Sequence, residues 1–265
     1  MGVVATDPGT GRAVGYAHLT RAGAGGDLAV ELVVAPGARR AGEGPADALL
    51  GVALAEAARP GPPFDPAGSP GPRTVRYWAH HATGDDDRLA AAHGLRFERE
   101  LLQLRRPLPV EGPRAPVAVR AFVPGTDESA WLEANNRAFA SHPEQGGWDL
   151  ATLREHEQEP WFDPAGFLVH EEDGRLAASC WTKVHGSADP PMGEIYVISV
   201  DPAFHGRGLG RAMTLAGLDH LAATGLTVGM LYVDGSNGAA VALYRSIGFT
   251  DHHADRAYAG VVGAV

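Results

Sequence analysis

Cysteine is almost missing from this 265-residue chain: Cys180 stands alone. One thiol closes no intrachain disulfide, so a reducing compartment, the cytoplasm, is the expectation. Lysine is equally scarce, and of 22 basic side chains Lys183 is the only ammonium. Enrichment in Ala, Gly, Pro and Arg reads as a GC-rich coding bias, with Arg wherever a generic positive charge suffices. That singles out Lys183, because ammonium and guanidinium differ in shape and hydration. No apolar run approaches ~18 residues, so no membrane span is expected. No basic region followed by an apolar stretch opens the chain, so no signal peptide is visible. The 12 histidines form no H-E-x-x-H and no Cys/His cluster, which leaves no metal site to expect. The formal charge of −10 disfavours a nucleic-acid partner, which needs clustered Lys and Arg.

Apolar residues make up 45% of the chain, enough for one large domain or two ordinary ones. The most informative stretch is Val200-Asp201-Pro202-Ala203-Phe204-His205-Gly206-Arg207-Gly208-Leu209-Gly210-Arg211. It follows an apolar strand, Ile195 to Val200, and opens a helical pattern, Ala212 to Ala223. Three alternating glycines between strand and helix leave backbone N–H groups open at a helix N-terminus, a ready site for a pyrophosphate. The dinucleotide fingerprint does not fit, since it wants G-x-G-x-x-G directly after the strand. No G-K-[ST] follows, which excludes a nucleotide-triphosphate loop.

The layout occurs twice. Val34 to Gly44 has the length of Val200 to Gly210, with Pro36 matching Pro202, and Gly42 and Gly44 matching Gly208 and Gly210. Downstream, Arg76-Tyr77-Trp78-Ala79 reads as a strand, like Gly229-Met230-Leu231-Tyr232, then a helix ends at Gly94 or Gly248 and a final strand follows. Tandem α/β units are the expectation. Four prolines between Arg106 and Pro116 exclude helix interior and central strand and set the boundary near residue 112, giving domains 1–112 and 113–265. In the second half, 117–122 reads as a strand. Helices are expected over 127–140, with Thr126 as N-cap, and over 149–159. A hairpin spans 166–184 with its turn at Asp173-Gly174, and the remainder alternates strand and helix to a last strand at 249–262.

Val200-x-Pro202 followed by His205-Gly206-Arg207-Gly208-Leu209-Gly210, with Asn237 opening the later helix and Tyr244-x-x-x-Gly248-Phe249 closing it, resembles the GNAT N-acetyltransferases. The resemblance covers about 145 residues; His205 departs from the usual Gln or Arg. It implies two tandem GNAT-like domains, each with a mixed, mostly antiparallel central sheet flanked by helices, the first lacking its N-terminal strand and helices. Asn135-Asn136-Arg137-Ala138-Phe139, His142-Pro143-Glu144-Gln145-Gly146-Gly147-Trp148, Trp181-Thr182-Lys183-Val184-His185 and Gly193-Glu194-Ile195-Tyr196-Val197 carry a tighter likeness. They look like tandem members that acetylate the cysteinyl amine of cysteinyl-glucosaminyl-inositol, a small thiol pseudodisaccharide.

The resemblance implies acetyl-CoA as co-substrate. Main-chain groups of Ile198, Ser199 and Val200 would pair with the pantetheine arm. The pyrophosphate would lie on His205, Gly206, Arg207, Gly208, Leu209, Gly210 and Arg211. Asn237, Gly238, Ala239, Ala240, Val241 and Ala242 would run along the arm, with a plain N-cap as the alternative for Asn237. Glu194 is either a solvated strand end or the base that takes the amine proton, directly or through water. An α-amine titrates at ~7.7–8.0, so a nearby carboxylate suffices. Tyr244 is either a packed aromatic or the acid that protonates the departing thiolate. Glu144, Lys183, Glu194 and Tyr232 would contact the sugar–inositol part, against a surface pair as the alternative for Glu144 and Lys183. Cys180 reads as a buried, inert thiol.

The first half is expected to be catalytically silent, since Leu28 stands at the position of Glu194 and Ala90 at that of Tyr244. Glu43 would weaken pyrophosphate binding there. Two alternatives stay open: the same chemistry on a protein N-terminus or an aminoglycoside-like amine, and a non-enzymatic acyl-CoA-binding module. A monomer is the expectation.

Overall fold

The structure is a computed structural model that describes residues 1–22, 27–38, 44–59, 72–112, 117–140 and 146–263. The first series of elements is β1 (Gly2–Thr6), β2 (Ala13–Ala22), β3 (Asp27–Val34), α1 (Pro45–Ala57), β4 (Arg73–Ala79), α2 (Gly84–Ala92) and β5 (Arg96–Pro107). The second is β6 (Arg120–Ala121), α3 (Glu128–Ala138), α4 (Leu150–Glu157), β7 (Phe167–Glu172), β8 (Arg175–His185), β9 (Met192–Val200), α5 (Leu209–Ala223), β10 (Val228–Asp234), α6 (Gly238–Ser246) and β11 (Thr250–Val262). The order strand, helix, strand, helix, strand recurs in both, from β3 to β5 and from β9 to β11.

Two compact units result, one of 1–102, 234–237 and 253–265, the other of 103–233 and 238–252. A division at residue 112 differs from this in its closing strands. The later part of β5 sits in the second unit, where the Leu108 amide donates to the Thr227 carbonyl over 2.9 Å. The later part of β11 sits in the first, antiparallel to β4 from Arg256–Ala79 to Val262–Arg73. Residues of β5 and of β11 thus fall in both units. Ladder partners are chosen by matching backbone groups and buried faces in space, which one strand's apolar pattern leaves unspecified.

In the first unit β1, β2 and β3 are antiparallel, β3 runs parallel to β4, and α1 makes the crossover. Leu28, Val30, Leu50, Val75 and Tyr77 fill its core. Leu28 and Ala90, the counterparts of Glu194 and Tyr244, are both fully buried there. The first half's Gly42 and Glu43 lie outside the described residues.

In the second unit the strands lie in the order β5-β10-β9-β8-β7-β6. The sheet is antiparallel from β6 to β9, and β9 and β10 are parallel. The β7–β8 turn has Asp173 at φ 52° and Gly174 at φ 71°, the pair of left-handed residues that an Asp-Gly hairpin turn requires. Helix α3 begins one residue later than Thr126 would set it, with Asp127 at the N-cap. The Asp127 carboxylate leaves that end uncapped because it binds Arg120 and the Val123 amide instead. Trp131, Phe167 and Trp181 build an aromatic core on the α3 side, the last two rings stacked at 4.4 Å. Helix α5 covers the opposite face, where Leu221 lies directly over Gly193. Among the described residues no helix is long and apolar enough to cross a membrane, and no group of three or more His, Cys, Asp or Glu could hold a metal.

Candidate active site

Strands β8 and β9 pair from Ala178–Val200 to His185–Met192 with one irregularity: Trp181 faces Val197 and Thr182 faces Ile195, so Tyr196 is the extra residue. An extra residue is a β-bulge, and it inverts the face that the following side chains use. Glu194 therefore shares a face with its register partner Lys183, and Ile198 shares the opposite face with Cys180. Strict alternation would put Glu194 and Ile198 together.

The pairing of β9 with β10 covers only Gly193–Ile195 against Gly229–Leu231. From Tyr196 to Val200, β9 has β8 on one side and no paired residue of β10 on the other. Ile198, Ser199 and Val200 lie in this stretch, whose main chain is open to an added strand. Ser199 offers main chain only. Its hydroxyl sits 2.9 Å from Ser179 Oγ, which accepts a hydrogen bond from Trp131 Nε1. His205 Nε2 donates to the Val200 carbonyl over 3.0 Å.

A 3-10 turn, Pro202–Phe204, follows β9. Gly206 and Gly208 both adopt φ 77°, a conformation that costs other residues strain. Gly208 is the N-cap of α5 and no side chain caps that end, so the first-turn amides of Leu209, Gly210 and Arg211 face outward as orphan donors. Arg207 binds Glu172 at 2.7 Å, and Arg211 donates to Ser246 Oγ at 2.9 Å. The backbone is thus the uncommitted anion site. Asp201 anchors the loop. Burial pushes its carboxyl up, but the Ala203 amide and Arg137 outweigh that and hold it below its ordinary value. Arg137 lies 2.7 Å from Asp201.

Lys183 and Glu194 come together with an aromatic wall. The Lys183 ammonium lies 4.3 Å from the Trp161 ring centroid and 5.2 Å from that of Tyr196, within cation–π range. Glu194 is buried, and its Oε2 is 2.7 Å from His185 Nε2. Burial raises the Tyr196 hydroxyl, with the Glu194 and Glu159 charges adding to it. Tyr244 is buried on α6, and burial, with the Cys180 charge, pushes its hydroxyl well above the ordinary value, so it stays protonated. Tyr232 is exposed and its hydroxyl accepts from Gln103 Nε2 at 2.7 Å. Glu144 lies outside the described residues. On α6, Gly238, Ala239 and Ala242 are exposed and Ala240 is half-buried, whereas the Val241 side chain is in the core. Asn237 clusters with the first unit, its amide on the Asp234 carbonyl. His185, Gln103 and Trp161 had carried no role in the sequence. Alternation from Lys183 to His185 was the signal available for the first.

The acetyltransferase (GNAT) family model matches residues 130–249. A GCN5-related N-acetyltransferase from Sphaerobacter thermophilus superposes with TM-score 0.77 at 23% identity, over 99% of this chain and 81% of that one. A tandem GNAT protein of the clavulanic acid biosynthesis pathway gives TM-score 0.68 at 18% identity, over 97% and 81%. These share the fold. In sequence, the mycothiol acetyltransferase of Thermomonospora curvata is 50% identical over 92% of this chain and 77% of its own length. That of Streptomyces coelicolor is 46% identical over 94% and 76%. The chain belongs to the mycothiol acetyltransferases, a tandem branch of the GNAT family, and is an acetyl-CoA-dependent N-acetyltransferase.

Proposed function

We propose that the protein acetylates the cysteinyl amine of cysteinyl-glucosaminyl-inositol, the last step in making mycothiol, with the chemistry in the second unit. The observation that carries this is the unpaired side of β9 from Tyr196 to Val200, running into the uncapped amides of α5. That groove suits an extended arm ending in a diphosphate, and the bulge at Tyr196 sets Glu194 and Lys183 on the neighbouring face. Acetyl-CoA, when bound, supplies a thioester carbon open to attack by an amine.

The chain's residues supply the rest. Main chain at Ile198, Ser199 and Val200 orients the arm. Amides from His205 to Arg211, chiefly those of the first α5 turn, hold the diphosphate, and the start of α6, where Gly238, Ala239 and Ala242 are exposed, runs along the arm. Glu194 accepts the amine proton at its carboxylate as the nitrogen attacks. Tyr244 Oη keeps a proton available for the thiolate that leaves. Lys183, Tyr232 and Glu144 contact the polyol, and Lys183 is held in place by the rings of Trp161 and Tyr196. The test is an acceptor panel with acetyl-CoA, following release of free CoA. Turnover with the cysteinyl pseudodisaccharide is expected. Turnover only with peptides or aminoglycosides would replace the acceptor. No turnover at all, with unimpaired acetyl-CoA binding, would favour a binding module.

A further inference from the structure

We propose that His185 is a positioning residue for Glu194: it carries its proton on Nε2, donates it to Glu194 Oε2, and so aims Oε1 at the incoming amine. This rests on the reading of Glu194 as the base.

Geometry comes first. Lys183 is the register partner of Glu194, and His185, two residues on and on the same face, reaches back diagonally to put Nε2 2.7 Å from Oε2. An ionised carboxylate only accepts, so the proton of this bond belongs to the imidazole. The backbone behind the pair is closely packed. A Cβ on Gly193 would come within 2.6 Å of Leu221, so strand and helix meet with no slack next to Glu194. Lys183 does not take this place, because its ammonium lies over Trp161 and Tyr196. Lys183 is the register partner of Glu194 on β8, and Tyr196, whose hydroxyl the Glu194 and Glu159 charges help to raise, lies two residues on along β9. Exposure differs as well: the His185 side chain is 31% exposed and that of Glu194 10%.

The experiment compares His185→Ala and His185→Gln with the parent, using whichever acceptor amine the parent turns over. The readouts are kcat and the acetyl-CoA KM. His185→Ala should lower kcat about tenfold or more, leaving the acetyl-CoA KM within about twofold. His185→Gln keeps an amide donor at similar reach and should recover most of kcat. If both variants keep parental kcat, or if Gln fails like Ala, the assignment is overturned. Failure of the acceptor assignment shows in the parent enzyme, failure of this inference only in the ratio of variant to parent.

Discussion

Gly217 of α5 meets Cys180 of β8 so closely that a Cβ on Gly217 would lie 2.5 Å from the sulfur and 2.8 Å from Ile195 Cδ1. The helix that starts at the phosphate-type loop is thereby seated on the strands that carry the candidate acceptor face. Gly217→Ala should therefore lift α5 and cost about 1–3 kcal/mol, as overpacking does. Denaturant unfolding checks this. An unchanged midpoint would mean that the contact is looser than its geometry.

Cys180 itself is fully buried, and burial pushes its thiol from 9.0 to about 12. It should resist thiol reagents at neutral pH in the folded protein and react on unfolding. The sign for stability follows from the raised value: the folded state holds this proton more tightly than the unfolded one. The contribution is complete below about pH 9 and declines as pH rises toward 12. Cys180→Ala should flatten the alkaline fall in stability, with Tyr196 and Tyr244, both also raised, keeping part of the slope. Urea midpoints measured across that range check it.

Gly208 holds φ 77° at the α5 N-cap, with nothing within 4 Å of a built Cβ. Space is therefore available, and the cost of Gly208→Ala is conformational, about 1 kcal/mol or somewhat more. If the first-turn amides hold the diphosphate, the acetyl-CoA KM should rise about tenfold with a smaller change in kcat. Steady-state kinetics beside a thermal melt separates the two effects.

Tyr244→Phe removes a hydroxyl that burial keeps protonated. About a hundredfold loss in kcat with little change in acetyl-CoA affinity is expected of an acid acting on the leaving group. Equal kcat in a stopped-flow assay of CoA release would return Tyr244 to the role of a packed aromatic.

Much of this was readable from residue order. The Asp173-Gly174 turn needs two left-handed residues and has them. The loop from Val200 to Arg211 forms strand, turn and helix where its glycines require, because those demands are local: a positive φ, a helix start, a short connection. A lone thiol in an apolar strand was read as buried, and Cys180 is.

Other relationships were settled by the fold alone. The bulge at Tyr196 put Glu194 and Ile198 on opposite faces, which no alternation count reveals, since one inserted residue changes sidedness without changing composition. The later part of β11 found its ladder on β4, a strand of the first half, because hydrogen-bond partners are a matter of proximity. His185 met Glu194 across a strand pair for the same reason. Sequence determines what a residue can donate, accept or bury; where it finds its counterpart is decided once backbone registers lock.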